Sequence, residues 1–144
     1  MGTRSLTRVH EVYGENETCI INMYRQFDGY PDGHGQELVE FMEDRTIGNG
    51  IPCGQDLGKF SNGPGCFAAQ LVANFKTNDE PGGFYLYPPD ATDCGQEYEY
   101  DIYIDPNQNE KGIRIKVTDY RTEIFNGNFE DFKTFCLGTE EDTD

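Results

Sequence analysis

The chain is 144 residues long, with 27 acidic against 11 basic side chains and a formal net charge of −16. That length suits one domain with a core that needs no disulfide or metal. The charge repels phosphate backbones and anionic lipid, which argues against direct nucleic-acid or membrane binding.

Residues Ser5 to Tyr13 mix β-branched and polar side chains and stop at the turn-like run Gly14 to Glu17, after which Thr18 to Tyr24 resumes an extended pattern. A β-hairpin is expected. Arg4 and Arg8 make this end locally basic. The next stretch, NMYRQFDGYPDGHGQEL (22–38), crosses a glycine-rich, aromatic loop and enters a helix expected from Gly35 to about Arg45, with Leu38, Phe41 and Met42 on one face. Ile47 to Gly65 holds six glycines and two prolines and reads as a long loop.

CFAAQLVANFK, from Cys66, has the stripe Phe67, Leu71 and Phe75 of a second helix. Asn78 to Gly83 breaks the chain, and Phe84 to Tyr87 is a short aromatic strand. From Gln96 to Asp105, Tyr98, Tyr100, Ile102 and Ile104 alternate with Glu97, Glu99, Asp101 and Tyr103, which predicts a half-buried strand with an acidic outer face. Ile113, Ile115 and Val117 continue the alternation after a polar turn. Pairing Ile104 with Ile113 sets Asp101 opposite Lys116, a complementary register. A short strand at Glu123 to Phe125, a turn at Asn126-Gly127, and a closing helix carrying Phe129, Phe132 and Cys136 complete the domain, with Asn128 as cap and Gly138 as stop. The fold class is α+β: a mainly antiparallel sheet of about five or six strands, with two to three helices packed on one face. One domain is expected over residues 1–138, with an acidic flexible tail expected at 139–144.

Five cysteines, at 19, 53, 66, 94 and 136, are odd in number and show no CxxC spacing. They fit reduced thiols in a cytoplasm rather than a disulfide framework or zinc knuckle. No apolar run precedes a cleavage site and no stretch approaches ~18 apolar residues, so a cytoplasmic protein is expected.

Candidate chemistry gathers in the 25–35 loop and at the second helix start. A thiol at a helix start with a nearby His and Asp makes a nucleophile, base and orienter, so Cys66, His34 and Asp28 are the catalytic set if the chain is an enzyme. Asp28 to Gly33 begins like a calcium loop, but Tyr30 at the third position and Val39 at the twelfth reject it. No metal and no cofactor are expected. The glycine-bearing turns before both helices present backbone N–H groups to an anion. The ligand-binding set is then Arg25 for charge, Phe27 and Tyr30 for stacking, and Asp28, Asp32, His34, Asn62 and Cys66 around them.

The stretches MGTRSLT (1–7), NMYRQFDGYPDGHGQEL (22–38), NGPGCFAAQLVANFK (62–76) and GGFYLYPPDATDCGQEYEYDIYI (82–104) resemble a family of small uncharacterised bacterial and bacteriophage proteins. The resemblance implies a compact stand-alone protein of prokaryotic or phage origin, in the host cell cytoplasm if phage-encoded, and carries no catalytic residues with it. By analogy with small acidic proteins of that origin, the expected function is non-enzymatic binding, as a counter-defence inhibitor that sequesters a small anionic, nucleotide-derived signal. Two alternatives stand beside it: an acidic nucleic-acid mimic that blocks a basic host protein, and a Cys/His-dependent hydrolase or transferase. Either binding role is compatible with an oligomer.

Overall fold

The computed structural model describes residues 2–48, 59–76, 83–105 and 113–138. The hairpin forms as expected, from β1 (Ser5–Tyr13) and β2 (Asn16–Arg25), with Gly14 at φ 58 in its turn. Strands β5 (Phe84–Tyr87), β6 (Tyr98–Ile104), β7 (Ile113–Asp119) and β8 (Thr122–Asn128) join it in a six-stranded sheet of order β5-β2-β1-β6-β7-β8. Four of its five pairings are antiparallel, and the central one, β1 beside β6, is parallel. The chain reaches β6 by crossing from one sheet edge over β2 and β1, because neighbouring parallel strands need a long connection.

The predicted register between β6 and β7 holds, with Ile104 opposite Ile113 and Asp101 opposite Lys116. Val9, Met23, Tyr100, Ile102, Ile115 and Val117 line one face of the sheet and are essentially buried. Three helices supply the other half of this core: α1 (Gln36–Met42), α2 (Gly63–Lys76) and α3 (Phe129–Leu137). The spacing of Phe67, Leu71 and Phe75 turns all three toward the sheet, each contributing about 1.5–3 kcal/mol by leaving water. Asn128 caps α3, its side chain accepting from Asp131 N–H at 2.9 Å, and Gly138 ends that helix at φ 69.

Four local expectations need correction. Helix α1 is preceded by a wide helical turn at Pro31–Gly35 and stops at Met42, where Glu43 turns extended and Asp44 takes φ 60. Arg45 leaves the helix to fold back, its Nε donating to Phe41 O at 3.1 Å and its guanidinium 4.1 Å from the Phe41 ring centroid. The supposed loop from Ile47 contains structure at both ends: β3 (Thr46–Gly48) and β4 (Phe60–Asn62) pair in parallel. Helix α2 begins at Gly63, three residues before Cys66, since Pro64 brings a preset φ suited to a first turn.

The fourth correction concerns Asn126-Gly127, which is strand rather than turn: Asn126 pairs with Lys116 and Gly127 with Ile115. The reversal instead occurs at Tyr120 and Arg121, with φ of 51 and 69, the left-handed pair that a tight hairpin requires. Neither residue type advertises that conformation. The expected flexible tail (139–144) and the central parts of the 47–65 loop and of the breaks at 78–83 and 105–112 lie outside the described residues.

Candidate functional site

The loop leaving β2 divides its polar residues between inside and outside. Arg25 ends β2 on the helix-covered face and is almost fully buried, as is His34 in the turn before α1. The guanidinium donates through Nε to Phe27 O at 2.5 Å, through NH1 to His34 Nδ1 at 3.0 Å and Glu37 Oε1 at 2.8 Å, and through NH2 to Glu37 Oε2 at 3.3 Å. Its fork is bidentate on the carboxylate, the stronger form of such a pair. It also lies 5.1 Å from the Phe84 ring centroid.

Because guanidinium only donates, His34 Nδ1 must accept, and the ring proton sits on Nε2, which donates to Thr7 Oγ1 at 2.6 Å. Burial, reinforced by the positive charge of Arg25, holds the His34 pKa well below its ordinary value. The ring is also wedged between Phe75 and Tyr100, each 5.0 Å away between centroids. This histidine is neutral, fully partnered and out of reach of solvent.

Beside this network opens a cleft of about 380 Å³ between α1, α2 and β5. Phe41, Phe75 and Phe84 form its apolar walls, Phe75 and Phe84 lying 5.6 Å apart between ring centroids. Its rim carries Glu37 and Glu40 from α1 and Asn74 from α2, with Arg25 at one side. Glu37 and Glu40 stand three residues apart on one helix and therefore face the same way. Among the described residues Glu40 is exposed and has no cationic partner. The cleft thus combines aromatic surface with an excess of one carboxylate.

The opposite face of the sheet, expected to be an exposed acidic surface, is partly covered and internally neutralised. The crossover between β5 and β6 lies against it, Asn22 Nδ2 donating to Pro88 O at 3.1 Å and Ala91 O at 3.0 Å. Parallel pairing sets Arg8 opposite Asp101, and Arg8 forms ion pairs with both Glu99 and Asp101. Its Nε lies 3.2 Å from Asp101 Oδ1, at an angle too poor for a hydrogen bond. His10 Nε2 donates to the same carboxylate oxygen at 2.7 Å and its ring stacks on Tyr103 at 4.5 Å. Asp101 is 6% exposed. Sequence reading missed this cluster because its signal, basic residues alternating on β1 and acidic ones on β6, becomes visible only once those distant strands are paired.

Cys19 lies opposite His10 in the hairpin, yet its thiol donates to Ile21 O at 3.2 Å, and burial pushes its pKa up. It is not poised as a thiolate nucleophile.

The remaining predicted site residues scatter. Asp28 sits at φ 63, accepts from Tyr30 Oη at 3.1 Å through its carboxylate, and takes the His34 backbone N–H on its carbonyl at 2.8 Å. Phe27, Asp28, Tyr30 and Asp32 are exposed on the outer side of the loop, opposite in sense to Arg25 and His34. Asn62 is exposed at the end of β4, and Cys66 is half-buried in the first turn of α2. His34 touches Phe75, nine residues along α2 from Cys66, which is roughly 13 Å of helix axis. The catalytic set Cys66, His34 and Asp28 is therefore not assembled, and the ligand-binding set does not converge on one pocket.

Among the described residues, Cys19, Cys66, Cys94 and Cys136 are free thiols, no three metal-ligating side chains converge, and no helix is long and apolar enough to cross a membrane. In comparisons with known proteins, no family model, curated sequence or solved structure matches this chain.

Proposed function

We propose that this is a non-enzymatic binding protein that uses its acidic surface to occupy a basic region of a partner protein, as a nucleic-acid mimic of phage or bacterial origin would. The observation that carries this reading is that three of the arginines are turned inward, while Lys76, Arg114 and Arg121 are the exposed cations among the described residues. Arg8, Arg25 and Arg45 are largely buried and held by acceptors of the chain. Lys59 and Lys76 donate to backbone carbonyls, and Lys133 pairs with Glu43 at 2.8 Å. Glu15, Asp28, Asp32, Asp44 and Glu130 stay exposed, so the field seen by an approaching molecule follows the net charge of −16.

The same disposal weighs against sequestering an anionic ligand at the 25–35 loop. Arg25, the cation such a ligand would need, already spends its donors on Glu37, His34 and Phe27.

Calorimetric titration with an oligo-arginine peptide tests the reading. Saturable binding that weakens steeply with added salt is expected, because screening acts on exposed charges. Heat stabilisation by nucleotides that disappears on Arg25→Met, with no binding of the basic peptide at low salt, would overturn it.

A further inference from the structure

We infer that the cleft between α1, α2 and β5 is the anchor point of that acidic surface, and that it receives an arginine side chain of the basic partner. The inference rests on the binding role proposed above and names the group recognised.

Three properties of the cleft select a planar cation. Its volume of about 380 Å³ is near the lower end of the roughly 300–1,000 Å³ that ligand sites occupy, which suits one long side chain. Its apolar lining comes from Phe41, Phe75 and Phe84; Arg45 already lies over Phe41 and Arg25 over Phe84, which leaves the edge of Phe75 for an incoming cation and its methylenes. Its rim holds one carboxylate more than its single guanidinium can neutralise, because Arg25 is already clamped on Glu37.

The chain itself supplies a precedent at the edge of this cleft: the Arg25 guanidinium lies against the Phe84 ring and in the fork of Glu37. An incoming guanidinium would repeat that arrangement with Glu40 as its carboxylate, Asn74 Oδ1 as a second acceptor and Phe75 as its ring. A phosphate-bearing ligand would meet Glu37 and Glu40 at close range, and an apolar one would desolvate both carboxylates without return. Arginine is favoured over lysine because its flat, weakly hydrated head stacks on rings and matches a carboxylate fork.

The test compares Glu40→Gln with Glu123→Gln, an equal charge change at an exposed position on β8. Both variants and the unaltered protein are titrated with oligo-arginine and with oligo-lysine of the same length. Glu40→Gln is expected to weaken oligo-arginine binding about tenfold and Glu123→Gln less than about twofold, as a specific ion pair differs from a diffuse field. Oligo-lysine should bind the unaltered protein more weakly than oligo-arginine and be less affected by Glu40→Gln. Equal, small losses in the two variants would overturn the cleft assignment while leaving the acidic-surface reading intact. Equal affinity for the two peptides would overturn the choice of arginine. Absence of salt-sensitive binding to either peptide would overturn both the cleft assignment and the proposed function.

Discussion

Arg25 NH1 and His34 Nδ1 meet at 3.0 Å in the protein interior, a cation donating to an imidazole that must stay neutral to accept. Protonating His34 would set two positive charges against each other out of reach of water. The pair therefore works as a structural joint between β2 and the turn before α1, and it ties folding to pH.

His34 is held well below its ordinary pKa in the folded chain, so the unfolded chain binds a proton at mildly acidic pH that the native chain does not. This contribution to stability is complete above about pH 6.5 and declines as pH falls below it, by up to about 1.4 kcal/mol per pH unit until native His34 protonates. Urea denaturation of the unaltered protein and of His34→Gln across pH 5 to 7.5 should show the extra slope only in the former. Parallel stability curves would contradict a buried neutral histidine.

Removal of Asp101 should be costly. Arg8 and His10 both point at this carboxylate in a site sheltered from water. Asp101→Ala is expected to lower unfolding stability by about 1–3 kcal/mol, because His10 loses its acceptor and Arg8 is left with Glu99 as its one carboxylate. Adding Arg8→Met to that variant should cost less than Arg8→Met does alone, because the Arg8–Asp101 pair has already been removed. Chemical denaturation of the two single variants and the double variant measures this; strictly additive losses would mean that Arg8 and Asp101 do not act as a pair.

Gly35 and Cys136 form a close packing contact between the turn before α1 and helix α3. A methyl group added at Gly35 would stand 2.6 Å from Cys136 Sγ, although the backbone there, at φ −60, accepts any residue. Gly35→Ala should destabilise by about 1–3 kcal/mol through overpacking alone. Combining it with Cys136→Ala should relieve most of that strain, and thermal melts of the four proteins form the cycle that tests it. The Cys136 thiol, whose pKa burial pushes up to about 12, should meanwhile resist alkylation in the folded protein.

Much of the secondary structure was legible because its cause is local. Alternation over Tyr98 to Ile104, helical spacing of Phe67, Leu71 and Phe75, and the cap at Asn128 each involve residues within a few positions of one another. The misreadings have physical causes of the same scale. Asn126-Gly127 has the composition of a turn, but pairing along β7 holds it extended, while Tyr120-Arg121 turns without the usual residues.

The sequence by itself determined an acidic α+β domain, the β1–β2 hairpin and the β6 to β7 register, since periodicity and net charge do not depend on how distant segments meet. Only the tertiary structure decided which polar groups face water. Pairing β1 with β6 in parallel, across about ninety residues, carried Arg8 and His10 onto Asp101 and removed a predicted acidic face from solvent. Closing the 25–35 loop onto the core turned Arg25 and His34 into each other's partners and left the neighbouring cleft edged by Glu40. Such choices depend on long-range contacts whose formation is opposed by loop-closure entropy, so no short window of residues contains them.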